Sequence, residues 1–168
     1  TARSDYRINF VTGQLRAAYE ADFGSFVVIP SFDAAVTYMD RDSVTETGGN
    51  IANLGIAGSD RTQVALSPAI ELNRTVAYDA DTTLRLIAKA GVTYLPDNDG
   101  SLRAEFLDAG GALGSFSTVV GTDDLYADFE AGVEILRKDS ASFVFGYQGA
   151  TSDNTSQHSL WAKAVIRF

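Results

Sequence analysis

Asp128 and Glu130 stand two residues apart in "LYADFEAGVEIL", a spacing that sets two carboxylates side by side on one face of a strand. Paired carboxylates can divide acid–base work between them. Little else in the chain supports a reaction. It has no Cys and one His, so a thiol nucleophile and a Cys-bearing zinc site are both excluded. A relay from His158 to Asp153 would need a nucleophile turn that is not there, and His158 reads as a surface residue of a polar loop beside "SDNTSQ". "PDNDG" (Pro96–Gly100) lacks the third acidic position and the distant Glu of a calcium loop, and reads as turn chemistry. "GGALG" lacks the Lys-Ser/Thr of a phosphate loop, and "NRT" and "NTS" merely fit a glycosylation pattern. No catalytic residue, metal or cofactor is expected, and the chain is not expected to be an enzyme.

The carboxylates belong instead to a wider pattern. Charges fall at alternate positions: Arg16, Glu20 and Asp22; Asp33; Glu71; Arg85 and Lys89; Asp128, Glu130 and Glu134; Lys163 and Arg167. The residues between them are apolar. Leu84, Leu86, Ala88, Ala90, Val92 and Tyr94 oppose the Arg85 and Lys89 set. Phe129, Ala131, Val133 and Ile135 oppose the Glu130 set, while Leu160, Ala162, Ala164, Ile166 and Phe168 oppose Trp161, Lys163, Val165 and Arg167. Strict alternation over such lengths is the signature of strands with two unlike faces.

Those strands are expected at 6–23, 26–39, 62–76, 82–95, 125–137, 141–150 and 158–168. All run to roughly ten residues or more, where a strand averages about 5–6. Tight connections at 24–25, 78–81 and 138–140 alternate with longer ones at 40–61, 96–124 and 151–157. Short turns at one end and long loops at the other are the layout of an outer-membrane barrel. "SLRAEFL" and "SFSTVV" are read as a hairpin inside the long loop 96–124, which leaves seven crossings. Pro68 removes a ladder donor mid-strand, and a bulge is expected there.

The longest apolar run is a few residues, far below the roughly 20 of a spanning helix, which says nothing against a barrel. With 168 residues and a net charge of −9, the chain fits one domain and offers no basic face to nucleic acid. In a barrel, the charged face lines the lumen, where mixed signs pair across a wet wall. Aromatics near strand ends (Tyr19, Phe23, Phe26, Tyr38, Tyr94, Tyr147, Trp161 and Phe168) fit interface girdles.

The chain resembles the translocator, or β-domain, of autotransporters, the type V secretion family of Gram-negative bacteria. "VIPSFDAAVTYMD" looks like that family's Pro-containing strand rising to an outer loop, and "TLRLIAKAGVTYLPD" like its next ascending strand. "FSTVVGTDDLYADFEAGVEIL" is similar to the loop leading into a Gly-centred descending strand, and "SFVFGYQGATSDNTSQHSLWAKAVIRF" to the last hairpin. The resemblance implies an all-β, antiparallel transmembrane barrel of twelve strands. Residues 1–168 would be its C-terminal part and supply the last seven. It also implies a cell outer-membrane location and a role as anchor and pore wall for an N-terminal passenger that this chain lacks. Implied partners are outer-membrane lipid, the barrel assembly machinery, periplasmic chaperones and the passenger, with the barrel itself monomeric. The terminal alternation of Leu160, Ala162, Ala164, Ile166 and Phe168 would be the assembly signal, read by strand addition. The chain departs from the family's ending at Ile166, where Tyr or another aromatic is favoured.

Two other readings stand beside this one. An eighth crossing drawn from 101–120 would make a complete small outer-membrane barrel with an adhesive or structural role. A soluble eight-stranded calyx would bind an apolar ligand, with Leu84, Ala88 and Val92 turned inward.

Overall fold

The computed structural model describes residues 2–49, 53–96, 99–107, 114–138 and 140–166. Among them there is no helix, and twelve strands account for the ordered backbone. Seven form the path of one long sheet. These are β1 (Ile8–Ala18), β3 (Val27–Arg41), β6 (Ser59–Ala77), β7 (Thr82–Tyr94), β10 (Leu125–Arg137), β11 (Ala141–Thr151) and β12 (Ser156–Ile166). They neighbour one another in that order, with the two-residue β2 (Ala21–Asp22) paired to β3. The expected seven crossings are these seven strands. β10 spans 125–137, as its alternation predicts.

β4 (Val44–Thr45), β5 (Leu54–Ile56), β8 (Asp99–Phe106) and β9 (Ser115–Gly121) form a second, four-stranded sheet. β8 and β9 are the hairpin expected inside 96–124, paired antiparallel from Asp99–Gly121 to Glu105–Ser115. They join β5 and not the long sheet, so they supply no eighth crossing. Nothing in the alternation of 40–61 announces β4 and β5, because two or three residues show no period.

The chain divides into two compact units. One comprises residues 1–14, 35–64 and 96–122, and the other residues 15–34, 65–95 and 123–168. In the first, Val44, Ile56, Ala104 and Phe116 form a cross-strand row on one face of the small sheet. Phe106 lies beside Phe116 with ring centroids 5.9 Å apart. Val44 is 5 % and Ala104 2 % exposed, the only buried apolar side chains among the described residues. The opposite face carries Arg103, Glu105, Ser115 and Ser117, all exposed. Burial is confined to Val44 and Ala104: Phe116 in the same row is 45 % exposed, and Val119 on the polar face 72 %.

In the second unit the antiparallel registers run unbroken from β7 through β10 and β11 to β12. Prolines interrupt the ladder without shifting it. Leu66 pairs with Tyr94 and Ala69 with Gly91, so the expected bulge at Pro68 is absent and the register is the same on both sides. A missing N–H deletes a bond but need not insert a residue. Pro30 acts similarly. It accepts a bond from Tyr19 N but has none to return, and β1 lapses at Tyr19–Glu20 before β2 resumes. The strand expected at 6–23 is therefore two pieces. The tight turns are built as expected: Asp22 Oδ1 accepts from Gly24 N, whose φ of 79° suits glycine, and Asp79 Oδ1 accepts from Asp81 N and Thr82 N.

Candidate functional site

The registers settle which side chains share a face of the second unit. Lys89 stands between Glu71 on β6 and Glu130 on β10, and Glu130 faces Gln148 on β11. Two rows along, Arg85 faces Glu134, which faces Val144, which faces Lys163 on β12. Asp128 lies opposite Gly91 and Ala150. Glu71, Arg85, Lys89, Asp128, Glu130, Glu134 and Lys163, on β6, β7, β10 and β12, thus occupy one face. Arg16 and Asp33 lie on β1 and β3, 4.0 Å apart. Glu20 falls in the lapse between β1 and β2 and is exposed. Arg167 and Phe168 lie outside the described residues.

Hydrogen bonds stitch the charged face together. Arg85 Nη2 lies 3.0 Å from Glu134 Oε2, and Ser142 Oγ donates to the same carboxylate at 3.3 Å. Thr93 Oγ1 donates to Asp128 Oδ2 at 2.6 Å and shares a hydrogen bond with Ser67 on β6. Asn73 Nδ2 donates to Glu71 Oε1. The Arg85 side chain is 47 % exposed, so its pair with Glu134 lies near the regime of solvated ion pairs. Glu134→Gln is expected to cost no more than about 1 kcal/mol. A double-mutant cycle with Arg85→Gln should show the coupling shrinking in high salt. Asp128 and Glu130 point the same way; Asp128 accepts from the Thr93 hydroxyl, and Glu130 lies in the cross-strand row of Lys89.

The opposite face carries the apolar set, and it is the open one. Leu86 is 47 %, Phe145 50 % and Leu160 81 % exposed while Phe129, Val133 and Ile135 are half-buried; of the charges, Lys89, Asp128, Glu130 and Glu134 are half-buried and Arg85 and Lys163 exposed. Ala162 and Ala164 are exposed, as is Ile166 at 64 %. The soluble calyx would need the reverse. A continuous exposed apolar surface of this kind marks contact with lipid or another apolar partner.

Two aromatic placements, Trp161 and His158, differ from expectation. Trp161 lies on the charged face and mid-strand, not in an apolar-face girdle; its indole covers Gly146, where a Cβ would overlap the ring. Phe129 covers Gly149 in the same way on the apolar face. His158 is not in a loop. It sits in β12 on the apolar face, with its ring stacked on Tyr147 at 6.0 Å. Nδ1 bonds Tyr147 Oη and Nε2 bonds Ser156 Oγ, both at 2.9 Å. Tyr147 holds the place that the carboxylate of a relay would take.

At the long-loop end, Asp123 ties two connections together. Its Oδ2 accepts from Ser152 Oγ at 2.5 Å and Asn154 N at 3.0 Å, and its Oδ1 from Asn154 Nδ2 at 2.6 Å. The Ser152 hydroxyl foremost, then the Asn154 donors, hold its carboxyl below the ordinary 3.8. A depressed folded-state value means the latch is at full strength above 3.8 and is lost as pH falls through the lower value. The Asn154 amide resonance should therefore titrate with a midpoint below 3.8; a midpoint at or above it would contradict the latch.

Comparison with known proteins agrees with this architecture. A structure of the RagAB peptide importer in its closed-closed state matches with a TM-score of 0.50 and 8 % identity, over 97 % of this chain and 20 % of that one. The chain thus spans a fifth of that structure's length, and the likeness concerns the fold alone. No curated protein matches. The autotransporter beta-domain model matches residues 1–148, most of the chain, ending within β11, and the chain belongs to the autotransporter beta-domain family.

Proposed function

We propose that the chain is the C-terminal part of an autotransporter translocator, which anchors in the outer membrane and walls the path by which an N-terminal passenger reaches the surface. The family's proteins reside in the outer membrane of Gram-negative bacteria. The observation that carries the reading is the reversal of polarity within one chain. The small sheet hides Val44 and Ala104, while the long strands expose Leu86, Phe145 and Ile166 and crowd their charges on the other face. Water around the first and hydrocarbon around the second account for both. Glu71, Arg85, Lys89, Asp128, Glu130, Glu134 and Lys163 then line the lumen, with Arg16, Glu20 and Asp33 continuing that lining, and keep the passage wet.

Both edge strands, β1 and β12, are exposed at every described position. Open edges in lipid would cost several kcal/mol per unpaired group, roughly. Further strands of the parent protein close the barrel as a monomer. Leu160, Ala162, Ala164, Ile166 and Phe168 present β12 to the assembly machinery, after delivery by periplasmic chaperones. The chain carries out no reaction; its work is strand pairing and selective wetting.

The test is export in cells making the parent protein. The segment N-terminal to this chain is expected to be cut by protease added to intact cells, and to be protected when residues 125–166 are deleted. Surface exposure without β10–β12, or a secretion leader directly preceding Thr1, would overturn the reading.

A further inference from the structure

The small sheet of the first unit ends differently on its two sides. Next to β4, Arg3 and Thr47 exchange backbone hydrogen bonds of 2.9 Å, and Arg7 O accepts from Asp42 N, so residues of the chain's own N-terminal segment border that side. On the other side stands β9, and among the described residues β8 is its only ladder partner. In an antiparallel strand alternate residues turn both N–H and C=O away from a given neighbour, so one row of β9 backbone groups faces outward.

Natural sheet edges are guarded by lysine, proline or a bulge. β9 has none of these. Its sequence "SFSTVVG" carries no charge and no proline, and its register with β8 is unbroken from Asp99–Gly121 to Glu105–Ser115. Ser115, Phe116, Ser117, Thr118 and Val119 are all exposed. The apolar row of the sheet also stops here: Val44 and Ala104 are buried within it, whereas Phe116, its last member, is exposed with no further strand beside it.

The segment that fits such an edge is extended, uncharged, free of proline and rich in small or β-branched residues. β9 itself meets that description, and every copy carries it. At a net charge of −9 two copies repel each other over much of their surface, and the neutral β9 edge is where they do not. We propose that two copies of this chain join β9 to β9, antiparallel about a two-fold axis at Ser117 or Thr118. With Ser117 on the axis, Phe116 stands against the partner subunit's Thr118, and the apolar row passes from one small sheet into the other. No charged residue lies on either strand of the seam. Each barrel wall still closes within its own copy, and the pairing requires nothing of the long strands or of lipid.

The test is sedimentation of the detergent-solubilised parent protein over a range of concentrations, with cysteine cross-linking to locate the seam. A monomer–dimer equilibrium is expected. Thr118→Lys sets like charges against the seam and should weaken dimerisation at least about tenfold. Thr45→Lys adds the same charge at an exposed position on β4, at the far side of the sheet, and should leave it unchanged. The chain has no cysteine, so single replacements report position. Facing Cα atoms of an antiparallel pair lie about 4.5–5.5 Å apart, within disulfide reach. Oxidation should therefore link copies through Ser117→Cys or Thr118→Cys, and far less through Ser115→Cys. A heat-modifiable band checks that each variant folds. A monomer at every concentration, as when another segment of the parent protein fills the edge, would overturn the pairing. So would an undiminished dimer in Thr118→Lys, an equal loss in Thr45→Lys, or cross-linking that does not depend on position.

Discussion

Ala88→Arg is expected to destabilise the membrane-inserted protein by about 2–4 kcal/mol. Ala88 lies at the middle of β7 on the apolar face, exposed, between Leu72 and Ala131. An arginine there must strip its charge of water or bend its stem a long way toward the interface. Gln148→Arg makes the matching change on the other face, opposite Glu130, where a cation meets a carboxylate and water. It should change stability by no more than about 0.5 kcal/mol, as exposed substitutions usually do. Guanidinium unfolding in lipid vesicles, read by loss of the heat-modifiable band, measures both. Equal costs at the two positions would mean that the two faces share one environment.

Gly146→Val is the second large effect. Gly146 is buried beneath Trp161, and any Cβ there would overlap the indole. Neither neighbour can yield cheaply, since Gly146 on β11 is fixed by the ladder between Gly132 on β10 and Trp161 on β12. The indole must leave, with an overpacking cost of about 1–3 kcal/mol. Trp161 is the chain's single tryptophan, so its emission reports the event directly. A red shift with lowered stability is expected in Gly146→Val, and partial recovery of stability when Trp161→Ala is added. An unchanged spectrum would show that the ring does not depend on the glycine.

Alternation made the long strands legible. Each of β7, β10, β11 and β12 places its residues on the faces that period two assigns, and the pairing of Lys89 with Glu130 and of Arg85 with Glu134 follows from the register. The second sheet was half legible. β8 and β9 are long enough to alternate, whereas β4 and β5 are held by tertiary pairing to β8 rather than by their own pattern. What period two cannot supply is partner choice. His158 looks like loop because polar residues surround it, yet β11 extends far enough to pair Gly149 with it. Trp161 looks like a girdle residue because it is aromatic, but parity alone puts it with Lys163, and Gly146 opposite makes room. Pro30 and Pro68 illustrate a further gap: the sequence marks where a donor is missing, and only the neighbouring strand determines whether the register slips.

The polarity reversal itself is most directly tested by tryptophan scanning from Leu84 to Val92 in the Trp161→Phe chain, reconstituted in vesicles of chain-brominated phospholipid. Leu84, Leu86, Ala88, Ala90 and Val92 should be quenched by the bromine and spared by aqueous acrylamide, with Arg85, Ile87, Lys89 and Gly91 showing the opposite. Quenching without a two-residue period, or strong bromine quenching at Lys89 and none at Ala88, would contradict it.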